Sequence, residues 1–193
     1  MKASPVPTAT IKQCVDFILQ DPTLLADLRS DHAGETGAVW IYKGILSGSN
    51  DSEVREFASK HLVAESRHQA LMETLLIQSQ RSSLLPLWRL AGFLTGYVPS
   101  LLGSRAVFLV IEAVEAFVED HYLKQIAYLQ NDALRSQSSS QLVTLLKQCL
   151  EEEKDHKFDA QARLSYSATS LEVWLQHVIY RGSRLAVSMA RHF

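Results

Sequence analysis

Two Glu-x-x-His motifs, Glu65-Ser66-Arg67-His68 and Glu153-Lys154-Asp155-His156, carry the residue types and spacing most suited to chemistry in this chain. On a helix, side chains three positions apart leave the same face, so each motif can offer one metal both a carboxylate and an imidazole. A single Glu precedes each motif, Glu35 before the first and Glu115 before the second. Two helices with such a pair and two with one Glu make the ligand set of a carboxylate-bridged dinuclear metal site in a four-helix bundle. Glu35 and Glu115 are 80 residues apart, while Glu65 and Glu153, like His68 and His156, are 88 apart. The spacing predicts two similar halves, each a helix hairpin, related by an approximate twofold axis and sharing one site.

The elements that must position these residues read as helices. Apolar residues recur at helical period almost throughout, and eight glycines and five prolines are few interruptions. One segment runs from about Pro22 to Leu46, with Leu25, Leu28, His32, Glu35, Val39 and Tyr42 on one stripe. Gly48 to Ser52 is a turn that ends in helix-capping residues. The next stripe reads Val54, Phe57, His61, Glu65, His68, Met72 and Leu75; a third reads Phe108, Ile111, Glu115, Val118, Tyr122, Ile126 and Leu129. The serine-rich stretch 131–140 is predicted as a loop, followed by a fourth helix through Leu142, Leu145, Cys149, Glu153, His156 and Ala160. All six candidate ligands lie inside apolar stripes. Buried unpaired carboxylates are costly, and two divalent cations would neutralise the four.

One domain over residues 21–193 is expected, after a flexible start and short helix over 1–20 in which Pro5 and Pro7 oppose regular structure. At 47% hydrophobic residues the chain can bury a sizeable core. A formal charge of −2 argues against a nucleic-acid partner. Two cysteines, Cys14 and Cys149, make no disulfide framework and point to an intracellular setting. The first ten residues have no apolar run, unlike a secretory signal. Residues 84–103 differ from the rest: Arg89 is their one charge, and the uncharged run from Leu90 to Ser104 falls short of the roughly 20 residues that span a bilayer. A core cover, a re-entrant segment and an interfacial helix all fit. Trp88 and Tyr97 are types that favour the membrane interface, so 84–103 is read as a docking segment. The run 171–193, with Trp174, Val178 and Leu185 among basic Arg181, Arg184 and Arg191, is expected to be an amphipathic helix on the same surface.

At these residues the chain resembles the demethoxyubiquinone hydroxylase family. The matching pieces are Asp31-His32-Ala33-Gly34-Glu35-Thr36-Gly37-Ala38, Ile41-Tyr42, Glu65 with His68, Leu85-Pro86-Leu87-Trp88, Gly92-Phe93 with Gly96, Val114-Glu115, His121-Tyr122, Gln125-Ile126, and Glu153 with His156. The first of these is the most specific. Thr36 stands where the family often has a larger residue, and Arg81-Ser82-Ser83 where an Arg-Pro pair is common. The resemblance implies an all-α, ferritin-like four-helix bundle with an added apolar helical segment and a C-terminal amphipathic helix. It implies a di-iron monooxygenase, peripheral on the membrane and facing the cytoplasm (the inner membrane in a bacterium), that hydroxylates a polyprenyl quinone ring with O2. Its metal ligands would be Glu35, Glu65, His68, Glu115, Glu153 and His156, the six chosen by spacing, holding two iron ions, with manganese equally suited to the ligand types.

His121 and Tyr122 are expected to support the ligands or face the substrate. Glu112 and Glu119, one turn either side of Glu115, are alternative ligands by position. Electrons would come ultimately from NADH, yet no Gly-x-Gly-x-x-Gly fingerprint is present to bind it. A non-Rossmann contact, a relay through the quinone or a partner protein would supply them, and a ubiquinone-biosynthesis complex is an expected partner. The competing functions are ferritin-like iron handling, a peroxidase, and a metal-free membrane-associated bundle that acts as a scaffold for a biosynthetic complex. A peroxidase of the rubrerythrin type would bring Cys-x-x-Cys pairs, which this chain lacks.

Overall fold

The structure is a computed structural model that describes residues 8–131, 134, 136–164 and 167–193. The expected flexible start at Pro5 and Pro7 lies outside the described residues. The helices are α1 (Thr8–Gln20), α2 (Pro22–Gly48), α3 (Ser52–Leu75), α4 (Leu85–Leu102), α5 (Ser104–Leu129), α6 (Gln137–Ala162) and α7 (Ser170–Ala190), with a 3₁₀ turn at Gln78–Gln80. Hairpins α2–α3 and α5–α6 face each other and form the ferritin-like four-helix bundle. α1 lies against α6, α2 and α3; α4 covers α2 and meets α5; α7 lies on α5 and α2.

Side-chain caps set the helix starts. Asp21 accepts from the amides of Thr23 and Leu24 at 2.9 and 3.1 Å, with Pro22 in the first turn, where a missing N–H costs nothing. Asp51 does the same for α3 through Glu53 and Val54. α6 starts earlier than its serine-rich sequence suggested. Ser136 and Ser139 form a reciprocal capping pair, so the predicted loop 131–140 already turns helical at Gln137. Serine opposes the interior of a helix but suits its cap; residues 132, 133 and 135 of that stretch are not described. Between α4 and α5 the chain reverses at Gly103, whose φ of +108° is a region that favours glycine.

The core divides in two. Leu24, Leu28, Met72, Leu75, Ile126, Leu142 and Leu146 pack one end of the bundle, and Ile45, Val54, Phe57, Phe108 and Ile111 the other. The six candidate ligands lie in the middle, between two apolar plugs that keep water away.

α4 is neither a core helix nor a span. Its inner face is Gly92, Gly96 and Ser100, pressed on α2, while Leu87, Leu90, Leu94, Val98 and Leu101 stand exposed along the opposite side. Among the described residues, no helix is long and apolar enough to cross a membrane. On α7, Leu171, Trp174, Val178 and Leu185 are exposed as well, and Glu172 ties the start of that helix to Arg105 of α5 at 2.7 Å.

Candidate metal centre

Glu35 from α2, Glu65 and His68 from α3, Glu115 from α5, and Glu153 and His156 from α6 converge at mid-bundle, each at most 5% exposed. They form two overlapping groups. Glu35, Glu65, His68 and Glu153 bring ligand atoms within 4.8 Å of one another, and so do Glu65, Glu115, Glu153 and His156. Glu65 and Glu153 belong to both groups, as carboxylates shared between two metal positions would. Each group takes its unshared Glu and His from one half of the chain, Glu35 with His68 and Glu115 with His156.

The donor set fits cations better than it fits itself. His68 Nδ1 is 2.8 Å from Glu153 Oε1, and His156 Nδ1 is 2.9 Å from Glu65 Oε1. Yet both Nδ1 atoms, both oxygens of Glu65, Glu35 Oε2 and Glu153 Oε1 lack a partner in hydrogen-bond geometry. Buried polar atoms are normally paired, so this many orphans facing one another suit a cation.

Metal-free electrostatics say the same. Burial, then repulsion from Glu153 and Glu65, pushes Glu115 well above the carboxylate range. Burial does the same to Glu35 against the pull of His68. Burial disfavours a charge on His156, yet the carboxylates of Glu153 and Glu65, 3.2 and 2.9 Å from its Nδ1, outweigh it and hold the imidazole up to about 11. Protons thus do in part what two cations would do, and metal binding has to displace them.

Around the ligands the halves mirror each other. Tyr42 lies seven residues after Glu35, and Tyr122 seven after Glu115. Each donates across the bundle to the other half's carboxylate, Tyr122 to Glu35 at 2.5 Å and Tyr42 to Glu115 at 3.2 Å. From sequence, Tyr42, like Tyr122, reads first as a core residue on an apolar stripe; the offset of 80 that the two share is the signal that pairs them. Glu112 and Glu119 are outside both groups: Glu112 accepts from Gln161 and Gln176, and Glu119 pairs with Lys157. His61 bonds to Asp159 at 2.7 Å.

An apolar cavity of about 360 Å³ opens beside the cluster between α2, α4, α5 and α7. Glu35, Glu65, Glu115 and Glu153 reach its wall, and small residues such as Gly34, Ala38, Gly182 and Ala186 keep it open. His121 also lines it, with Nε2 3.0 Å from Asp31 Oδ1, 3.3 Å from Ser30 and 2.9 Å from Gln125. His121 is therefore placed on the cavity wall, and Tyr122, its neighbour, on a candidate ligand.

The family model for the ubiquinone biosynthesis protein COQ7 matches residues 23–190, nearly the whole bundle and all six cluster residues. The chain belongs to the COQ7 family. A Dictyostelium discoideum relative named NADPH-dependent 3-demethoxyubiquinone 3-hydroxylase, mitochondrial, is 36% identical over 135 residues, covering 67% of this chain and 59% of its own length. A mouse protein of the same name is 29% identical over 173 residues, 86% of this chain and 76% of its own. A Rhodospirillum rubrum relative named 3-demethoxyubiquinol 3-hydroxylase is 32% identical over 171 residues, 86% and 77% of the two chains. For this COQ7-family chain, the match covers both the cluster and the two helices, α4 and α7, that wall the cavity.

Proposed function

We propose that this chain is a dinuclear-metal monooxygenase that hydroxylates the ring of a demethoxyubiquinone-type polyprenyl quinone or quinol. The cavity carries the reading: an apolar space meets four buried carboxylates at one end and two helices with exposed apolar faces at the other. The names of the relatives supply the substrate class. Iron-handling and peroxidase readings have no use for such a cavity.

Glu35, Glu65, His68, Glu115, Glu153 and His156 would hold two iron ions, whose redox chemistry would activate O2 when they are bound. A ring C–H, O2, two electrons and two protons become a ring C–OH and water. The chain's own residues prepare this. Tyr42 and Tyr122 hold the two unshared carboxylates in place. The two apolar plugs exclude water. Ala38, Gly34 and the α7 small residues leave width for a flat ring, and His121, held by Asp31, offers it a polar contact. The electron source is a reduced nicotinamide: the resemblance implies NADH, and the names of the eukaryotic relatives specify NADPH. With no fingerprint to bind it, electrons arrive by a different contact or through a partner of the biosynthetic machinery. Cells deprived of this protein are expected to accumulate a quinone lacking one ring oxygen. An unchanged quinone pool with altered iron tolerance would replace this reading with iron handling.

α4 and α7 would rest on the membrane face, without crossing it, so that the polyprenyl tail stays in the bilayer while the ring enters. In a bacterium this is the cytoplasmic face of the inner membrane. The contact would be made by Leu90, Leu94 and Leu101, since Trp88 and Phe93 are half-buried against the bundle. Changing those three leucines to Ser is expected to weaken liposome binding at least tenfold, about 1.4 kcal/mol, with the helix content unchanged. Equal binding by the triple variant would remove the docking face.

A further inference from the structure

The two metal positions differ behind their histidines. His68 points Nδ1 into the cluster, 2.8 Å from Glu153, while its far nitrogen, Nε2, lies 3.1 Å from Glu152 Oε2. Arg67 donates to the same Glu152 oxygen at 3.0 Å. His156 also points Nδ1 inward, but among the described residues no carboxylate other than Glu65 and Glu153 pairs with it; its ring packs edge-on against His61, with centroids 4.3 Å apart. The 88-residue offset between the halves explains the difference. Glu152 precedes Glu153, and the residue at the equivalent place before Glu65 is Ala64. The half-repeat that is symmetric in its ligands and in its tyrosines is broken at this one supporting carboxylate.

Given the dinuclear reading above, on which this rests, we propose that Glu152 is a positioning residue that makes the metal position at Glu35 and His68 the tighter of the two. A carboxylate accepting from Nε2–H holds the imidazole in the tautomer whose Nδ1 lone pair faces the cluster. It also fixes the ring plane and raises the basicity of the ligand nitrogen; outer partners of this kind are worth about 10–100-fold in metal affinity. Arg67, inside the first motif, fixes the carboxylate in turn. At the other position His61 offers a ring contact in place of an acceptor, and His156 lacks this support.

The test is an anaerobic titration of the metal-free full chain with Co(II), followed by calorimetry and by the visible absorption of the bound ion. Wild type is expected to fill in two steps separated by about tenfold or more. His156→Ala should keep the tight step and lose the weak one, and His68→Ala the reverse. Glu152→Ala should weaken the tight step by about 10–100-fold and leave the weak step in place, with Glu152→Gln, which keeps an acceptor without charge, recovering part of the loss. Glu151→Gln, on the exposed side of the same turn, should change neither step. Two wild-type steps of equal affinity, or a tight step indifferent to Glu152→Ala, overturn the asymmetry and leave the dinuclear site standing. A drop of both steps together in Glu152→Ala also overturns it, since it marks a general loosening of the bundle. A wild-type chain that takes up no Co(II) removes the dinuclear reading and this inference with it.

Discussion

Glu65→Ala or Glu153→Ala is expected to reduce bound iron from about two ions per chain to a trace and to bring hydroxylation to background. These two carboxylates are the only residues common to both ligand groups, so removing one opens both metal positions at once. Loss of Glu35 or Glu115 would open one. Alanine is the strongest helix former, and both oxygens of Glu65 lack a hydrogen-bond partner in the metal-free chain. Helix content should therefore survive, and the metal-free variant should melt no lower than metal-free wild type beyond the cost of a small void. The clearest readout is the metal-dependent stabilisation. At a free Fe(II) concentration 1,000 times the dissociation constant, one site stabilises the fold by about 4.1 kcal/mol, and this increment should vanish in either variant. Two ions retained by the Glu65→Ala, Glu153→Ala double variant would dismiss the centre described here.

The second large effect lies at the joint between α4 and α2. A Cβ at Gly96 would overlap the carbonyl oxygen of Ile41 and come within 2.8 Å of its carbon and 3.0 Å of the Ile45 nitrogen. One at Gly44 would overlap the Phe93 carbonyl and come within 2.8 Å of the Tyr97 nitrogen. The obstacles are backbone on both sides, so no rotamer change relieves them and one helix has to move. Gly96→Ala should cost about 1–3 kcal/mol of stability by overpacking, despite roughly 1 kcal/mol of better helix propensity. Gly96→Leu should detach α4 altogether, exposing its Leu85–Leu102 backbone to protease and opening the cavity to water. Gly182→Ala is the matched control. Its Cβ meets nothing within 4 Å, so it should be neutral or stabilising in a urea melt. Equal midpoints for Gly96→Ala and wild type would mean that α4 is not seated as described.

Much of this molecule is readable from the linear chain because it is written in local periods. The four bundle helices follow from apolar stripes of period 3.6. The turn between α2 and α3 follows from Gly48 and the Asp51 cap, and the two Glu-x-x-His pairs are ligand pairs within a single helical turn. The repeat of 80 and 88 residues announces two similar halves, and the short apolar run at 84–103 excludes a span. Local signals fail where serine has two uses: a serine-rich stretch reads as loop, yet α6 starts within it at Gln137. What tertiary structure alone decided depends on which helix faces which and at what height. The grouping of Glu35 with His68 rather than His156 was one such decision. Others were the crossed bonds from Tyr122 to Glu35 and from Tyr42 to Glu115, and the seat of His68 on Glu152, joining residues 87, 73 and 84 positions apart. The same holds for α4. Its sequence is apolar on nearly all sides, so no periodic signal tells inside from outside. The glycine face turns inward because only there can two backbones approach closely enough to pack, and that leaves the leucines facing outward.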